Sequence, residues 1–370
     1  MSKRALSTVA TRHQVFLERL KTQVSRDFTK VLPELEKAIR DVVFELQIDT
    51  LSDLSARRLK VLLEELRFVQ GELIAGAKQN LLDDLRGLSK YEAGFEQRSL
   101  QAATDAAKKG QDLHGYEVSG TPAKDAFDAA LKRPMSATGH LLEDFVDTWG
   151  TKQLDGVETA VQRAWGEGRT IGQLVTEIRG TRAGGYKDGL IEASRRQAEA
   201  VARTATQHVA QTARQAVWEE NGDLVEGVIF VATLDSRTTT QCRSLDGKEF
   251  PLDSGPRPPL HVNCRSTTIA KLPKELDFLD KGATRSSASG YVPADQTYYE
   301  WLKGQPASFQ DEALGADRAS LFRDGGLSSD AFAKLNLDRN FQPITLEAMA
   351  AKEPTAFESA GLDDYLPPKK

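Results

Sequence analysis

The sequence is poor in cysteine, in histidine and in long apolar runs. Two cysteines and five histidines occur among 370 residues, which is too little cysteine for the disulfide framework of a secreted protein. No apolar stretch reaches the roughly 18 residues that a transmembrane helix needs. Residues 1–13 carry basic side chains without the apolar run of a signal peptide. We therefore expect a soluble protein that is made in the cytoplasm.

The rest of the composition is ordinary for a globular protein. Hydrophobic residues make up 39% and charged residues 28% of the chain, and the formal net charge is −5. These values exclude a fibre and a chain that is disordered throughout. The length allows two or three domains.

Residues with special chemistry are concentrated between Val228 and Ile269. This window holds both cysteines, one of the five histidines and four of the fourteen prolines. The β-branched and aromatic run from Val228 to Leu234 predicts a buried strand, and the run from Ser266 to Ile269 predicts another. Any function that the sequence reveals is therefore expected in this window.

Two turns are predicted inside the window. Asp235, Arg237 and Thr238 follow the first strand, and side chains of this kind bond back to nearby backbone N–H groups. Asp246-Gly247 is a second turn signal, which predicts a hairpin.

Pro259 and two nearby prolines then keep the chain extended and non-helical as far as His261. The residues between the two strands are therefore expected to form one long, irregular loop.

Cys242, His261 and Cys264 form a candidate zinc site. Two thiolates and an imidazole are ligands that zinc prefers, and a His-x-x-Cys spacing lets one turn present two of them. A fourth ligand could come from one of three carboxylates in the window: Asp235, Asp246 and Asp253. Alternatively, both cysteines are reduced, half-buried small hydrophobes and His261 hydrogen-bonds a carbonyl.

The order of short motifs in the window is specific. Leu-Asp-Ser-Arg-Thr is followed by Cys242, by Leu-Asp-Gly-Lys, by Pro-Pro-Leu-His and by Asn-Cys-Arg. This order resembles the signature of phage minor head proteins of the Mu F type, also called head-morphogenesis proteins. The resemblance covers residues 203–272. It implies a structural motif formed by Arg203, Thr204, Asp235, Arg237, Thr238, Cys242, Asp246, Gly247, Pro259, His261, Cys264 and Arg265.

The chain departs from this pattern at two places. Many relatives have a further cysteine just after the Cys-Arg pair, where this chain has Ser266. Some relatives have one just after the Arg-Thr pair, where this chain has Thr239 and Thr240. A metal site common to the family would therefore have fewer ligands here.

Most of the remaining chain has helical patterns. We predict long helices or helical hairpins between Gln14 and Ala106, with a break at Pro33, more helices between Pro122 and Ile178, and a helix over Leu190–Asn221. Their apolar stripes fit either the core of a bundle or a partner surface. The predicted fold class is mainly α with a small α+β module, in which short antiparallel strands lie around residues 225–272, followed by a helical C-terminal tail.

We predict five regions along the chain. They are an N-terminal helical arm (1–121), a helical middle region (122–189), the Mu F-like head-morphogenesis module (190–272), a linker (273–296) and the helical C-terminal tail (297–370). The small, polar sequence ATRSSASG in the linker is typical of a flexible joint.

The tail has its own pattern. Thr297 and Glu300 form a predicted capping box at the start of its first helix. Trp301, Phe309 and Phe322 are expected either to anchor a small satellite core or to contact another virion protein.

Basic residues are locally enriched around the helix that starts at Leu190. They could face DNA or an acidic partner, or they could be a solvated face interleaved with glutamates. The residues are Arg179, Arg182, Lys187, Arg195, Arg196, Arg203 and Arg214.

Two classes of function are compatible with these observations. The resemblance implies a minor capsid protein of the phage head, assembled in the bacterial host cytoplasm, that acts at the portal vertex or inner capsid in DNA packaging, retention or ejection. Its expected partners are the portal protein, the major capsid or scaffold protein, and packaged DNA.

The alternative is a zinc- or histidine-dependent hydrolase, such as a nuclease, centred on His261 with Asp235 as its partner. The sequence has no second histidine near His261, no glycine-rich phosphate loop and no paired acidic dyad. We therefore predict that the protein acts without catalysis.

Overall fold

The computed structural model describes residues 6–110 and 117–367. The described part is mainly helical with two small antiparallel sheets, and the predicted fold class is confirmed. The helices are α1 (Leu6–Phe28), α2 (Val31–Phe44), α3 (Ala56–Gly110), α4 (Ala123–Lys132), α5 (Leu142–Gly166), α6 (Ile171–Arg179), α7 (Leu190–Glu220), α8 (Thr240–Leu245), α9 (Tyr298–Lys303), α10 (Ala307–Leu314), α11 (Ala316–Asp324), α12 (Ser329–Leu335), α13 (Leu346–Lys352) and α14 (Pro354–Ser359). The strands are β1 (Gly227–Val231), β2 (Glu249–Phe250), β3 (Thr267–Lys271), β4 (Thr284–Ser287) and β5 (Gly290–Pro293).

The contacts divide the chain into two compact units, each assembled from separate segments. The first unit contains Met1–Glu18, Glu92–Pro122 and Ala213–Lys370, and the second contains Arg19–Tyr91 and Ala123–Thr212. Each unit combines parts of several of the five regions expected from the sequence. The boundaries of those regions therefore stay a prediction.

The second unit is helical and has an apolar core. The stripe of Leu59, Leu62 and Leu66 on α3 is buried in this core together with residues of α2, α5 and α6. Trp149 is buried as well, and its indole N–H donates a hydrogen bond of 3.0 Å to Ser194 Oγ. Of the two alternatives for this stripe, the structure supports the bundle core.

The N-terminal helices begin and end close to the expected positions. α1 ends at Phe28 and α2 begins at Val31, so the chain breaks just before Pro33. α3 runs for 55 residues without interruption, where a set of helices was expected, because no proline occurs within it. None of the helices in the described ranges is long and apolar enough to cross a membrane.

The central sheet of the first unit has the strand order β2-β1-β3, and both pairings are antiparallel. In this register Val228 lies opposite Phe250 on one side and Ala270 on the other. β1 is therefore the middle strand, and Val228 and Phe230 are completely buried. The two strands predicted at the ends of the window are confirmed.

The predicted hairpin at Asp246-Gly247 is wrong. The residues before the turn form helix α8. Thr239 caps the N-terminus of this helix, and its hydroxyl accepts a hydrogen bond from the backbone N–H of Cys242. The turn therefore joins a helix to β2. Gly247 adopts a φ of 78° there, a conformation that glycine adopts at little cost.

The segment ATRSSASG is not a flexible joint. β4 and β5 pair as an antiparallel hairpin in which Ser287 lies opposite Gly290. Its small polar residues form a tight turn, where the Ser287 hydroxyl donates to the carbonyl oxygen of Gly290 at 2.8 Å. A further bridge connects Leu234 to Ser287, so the hairpin is attached to the end of the central sheet.

The C-terminal helices form a satellite core. Trp301, Phe322 and Phe332 are buried in it together with Leu234 from the module, and Phe309 packs against it. The predicted capping box of Thr297 is present, since its backbone N–H donates to Glu300 Oε2 at 2.7 Å. Of the two alternatives for these aromatic residues, the structure supports the core.

Candidate functional site

The structure brings Cys242, His261 and Cys264 together at one end of the central sheet. The two Sγ atoms are 3.8 Å apart, and His261 Nε2 lies 3.4 Å from Cys242 Sγ. Among residues 6–110 and 117–367, no other group of three or more acidic, histidine or cysteine side chains has its ligand atoms within 4.8 Å of one another. We call these three residues the sulfur–imidazole cluster.

Different local structures position the three side chains of the sulfur–imidazole cluster. Cys242 lies in the first turn of α8, which Thr239 caps. His261 and Cys264 lie on the irregular segment before β3, where the backbone N–H of Cys264 donates to the His261 carbonyl at 3.2 Å. Asn263 between them adopts a positive φ of 61°, which asparagine tolerates better than most residues. A tight turn thus presents His261 and Cys264 to the same point.

Both cysteines are free thiols, and each is only 1% exposed. The sulfur-to-sulfur distance of 3.8 Å exceeds the roughly 2.05 Å of a disulfide bond. Both therefore have the burial of small core residues, while His261 remains partly exposed.

The two thiols titrate as one pair. The hydrogen bond with Cys264, together with burial, raises the pKa of Cys242 well above its usual value. The hydrogen bond from Cys242, reinforced by His261, lowers the pKa of Cys264 well below its usual value despite burial. Burial alone would lower the pKa of His261, but the hydrogen bond and charge of Cys264 raise it.

Asp235 fixes the turn after β1 and pairs with Arg265. Its Oδ1 accepts hydrogen bonds from the backbone N–H of Arg237 at 3.1 Å, from the Thr238 hydroxyl at 3.2 Å and from Arg265 Nη2 at 2.8 Å. Arg265 Nη1 donates to Oδ2 as well. Burial would raise the pKa of Asp235, but the hydrogen bonds and charge of Arg265 lower it. Since Arg265 follows Cys264, this pair connects the turn to the sulfur–imidazole cluster.

Asp246 makes a second ion pair, which is buried and which the sequence did not reveal. Its Oδ1 accepts a hydrogen bond of 2.7 Å from the backbone N–H of Ala232, and Arg285 Nη1 donates to Oδ2 at 3.0 Å. Arg285 lies on β4, in the segment expected to be a linker. The only sequence signal for this ion pair was that Arg285 is the single charged residue in the run ATRSSASG.

The other residues of the expected motif occupy varied positions. Pro259 is buried before His261, whereas the Arg237 guanidinium is 79% exposed. Arg203 and Thr204 lie on α7 in the second unit, where Arg203 Nη1 donates to Thr22 Oγ1 at 3.2 Å and the Thr204 hydroxyl donates to a backbone carbonyl.

Arg214 does not belong to a solvated face. It is 1% exposed, its Nη2 donates to Thr267 Oγ1 at 2.8 Å, and its Nε lies 3.5 Å from Glu92 Oε2. Nearby, the Trp218 indole donates to Glu96 Oε1 at 2.7 Å. These α7 side chains therefore form a buried polar network within the first unit.

These features define a mainly helical protein whose small antiparallel sheet supports a loop that ion pairs and the sulfur–imidazole cluster cross-link. Residues 155–269 match the family described as Phage Mu protein F like protein. The resemblance is thereby confirmed over residues 155–269, where the chain is similar to the Mu F-like family of phage head proteins. No curated protein and no solved structure matches the chain significantly.

Proposed function

We propose that the protein is a minor head protein of a bacteriophage with a structural role in head assembly. The match of residues 155–269 to the Mu F-like family carries this proposal. In this role the protein is located in the virion, at the portal vertex or inner capsid. It contacts the portal protein and the major capsid or scaffold protein, and it influences packaging, retention or ejection of DNA.

The contacts around the candidate site support a structural role. A hydrolase centred on His261 would need a nearby acid such as Asp235, but Arg265 already holds both oxygens of that carboxylate. Asp246 is held in the same way by Arg285. These side chains connect segments of the loop to one another, so we assign them to the stability of the module.

A hydrolase remains the second candidate because of one observation. The hydrogen bond between His261 and Cys264 lowers the pKa of the thiol and raises the pKa of the imidazole, and a histidine beside a cysteine is the arrangement that activates a cysteine nucleophile. Cys264 is nevertheless only 1% exposed, so substrate access to its sulfur would require the loop to open. The structural role is therefore favoured.

Deletion of the gene from a phage that encodes it tests the proposed role. We expect purified wild-type virions to contain the protein in fewer copies than the major capsid protein, and we expect the portal protein to copurify with it. We expect the deletion to reduce the number of DNA-filled heads seen by electron microscopy. Normal yields of infectious particles without the polypeptide would contradict the proposal.

The double variant C242S/C264S tests the connection between the module and assembly. We expect it to lower both the stability of the module and the yield of filled heads. If the double variant is destabilised but still assembles filled heads at the wild-type yield, the stability of the module is not required for assembly. Metal-dependent cleavage of DNA that is lost in His261→Ala but kept in His140→Ala, where the histidine is exposed, would favour the hydrolase instead.

A further inference from the structure

Two distances within the sulfur–imidazole cluster fit a tetrahedral zinc centre. Zn–S bonds of about 2.3 Å place two sulfur ligands about 3.8 Å apart, and a Zn–N bond of about 2.05 Å places the nitrogen about 3.6 Å from each sulfur. The structure has 3.8 Å between the Sγ atoms of Cys242 and Cys264, and 3.4 Å between Cys242 Sγ and His261 Nε2. Both distances match edges of the same tetrahedron.

The orientation of the imidazole supports the same conclusion. His261 Nδ1 lies 2.9 Å from the Val262 carbonyl oxygen, so its N–H donates to that oxygen. Zinc-bound histidines usually donate their second ring N–H in this way, which fixes the ring and leaves the other nitrogen for the metal. Here Nε2 is the nitrogen that faces the sulfur atoms.

The structure brings three protein ligands together, and none of the candidate carboxylates Asp235, Asp246 and Asp253 belongs to the group. The carboxylates nearest in sequence are engaged, because Asp235 binds Arg265 and Asp246 binds Arg285. In the part of the chain that the structure describes, only Cys242, His261 and Cys264 bring their donor atoms together in this group. Two thiolates would neutralise the charge of one divalent ion, and His261 is exposed enough for water to reach the centre.

We propose that Cys242, His261 and Cys264 bind one zinc ion, with a water molecule as the fourth ligand. Two sulfur ligands and one imidazole in tetrahedral positions favour zinc over magnesium or calcium, which take oxygen ligands. The ion joins helix α8 to the turn before β3, across 22 positions of the sequence. This inference is independent of the proposed role in head assembly.

Metal analysis of the full chain tests the site. The protein is purified without chelator in the presence of a phosphine reductant, incubated with zinc sulfate, desalted and measured by inductively coupled plasma mass spectrometry. We expect one zinc per chain in the wild type and in the control His140→Ala. We expect a loss of zinc in His261→Ala and in C242S/C264S. Zinc retained by C242S/C264S, or absent from the wild type, would overturn the proposal.

Cobalt substitution of the wild type keeps the test decisive if the variants fail to fold. Co²⁺ bound to thiolate gives a sulfur-to-metal charge-transfer band in the near ultraviolet. The chain has only two cysteines, so such a band must come from Cys242 and Cys264. We expect the band to rise to one equivalent of Co²⁺ and to disappear when zinc is added. Metal binding without the band would place the ion elsewhere and would refute the site.

Discussion

Arg285 Nη1 lies 3.0 Å from Asp246 Oδ2, and the two side chains are 4% and 0% exposed. Arg285 also donates to the carbonyl oxygen of Ala232 at the end of β1. The ion pair therefore fastens the β4–β5 hairpin to the turn between α8 and β2. Segments that are 39 positions apart in the sequence thus become parts of one structure.

Replacement of Arg285 by methionine is expected to destabilise the protein strongly. It leaves the Asp246 carboxylate buried without its partner, and loss of one member of a buried pair costs about 3–5 kcal/mol. Urea unfolding of the full chain measures the change. Arg237→Met is the matched control, because that guanidinium is 79% exposed and its removal should cost less than about 0.5 kcal/mol. Equal effects of the two substitutions would contradict a special role for the pair.

Asp235 and Arg265 are expected to be energetically coupled. The single variants Asp235→Asn and Arg265→Met each remove hydrogen bonds to a charged group, which are worth about 1.5–3 kcal/mol. In the double variant the second change should cost much less, giving a coupling energy of about 1–3 kcal/mol. A double-mutant cycle by urea unfolding measures it. Additive effects would show that the two side chains act separately.

Gly247→Ala is expected to cost more than Gly282→Ala. Both glycines have a positive φ, of 78° and 76°, which costs an L-residue about 1–2 kcal/mol. A Cβ on Gly247 would also lie 2.9 Å from Thr297 Cγ2, whereas nothing lies within 4 Å of one on Gly282. The difference in unfolding free energy therefore reports the close packing of the Asp246-Gly247 turn against the start of α9. No difference would argue against this contact.

His208 is expected to make stability depend on pH. Burial lowers its pKa below the ordinary value of 6.5, although the hydrogen bond that it donates to the Ala130 carbonyl opposes the shift. The unfolded chain therefore takes up a proton at a pH where the folded protein does not, and stability falls as the pH drops below 6.5.

Unfolding midpoints between about pH 8 and pH 5 test this prediction. His208→Gln, which keeps a hydrogen-bond donor, should show a weaker loss of stability on acidification than the wild type. His140→Gln is the control, since His140 is exposed and its replacement should leave the slope unchanged. An unchanged slope in His208→Gln would show that other groups cause the effect.

Local signals in the sequence predicted much of the fold. The run at Val228, the long helix that starts at Leu190 and the capping box of Thr297 depend on neighbouring residues, and each is present. Helix α8 was missed because it has only six residues and its sequence TQCRSL has no apolar stripe. Its one clear signal was Thr239, a preferred N-cap residue.

Long-range pairs could not be predicted in the same way. The hydrogen bonds that bury Arg285 and Arg214 depend on where distant segments meet, and a charged residue in a sequence is usually exposed. For the same reason the sequence ATRSSASG predicted a flexible joint, whereas in the structure Arg285 binds Asp246 and holds this hairpin against the module. The sulfur–imidazole cluster could be predicted, because the chain has only two cysteines and they lie close in sequence to His261.

The first unit is built from the beginning, the middle and the last part of the chain. Gln14 Nε2 donates to the Arg265 carbonyl at 3.3 Å, and the backbone N–H of Thr284 donates to the Thr8 hydroxyl at 2.9 Å. During translation, the residues around Thr8 and Gln14 leave the ribosome long before these partners exist. The unit that carries the candidate zinc site can therefore close only late in synthesis, after the segment that contains β3 and β4 has emerged.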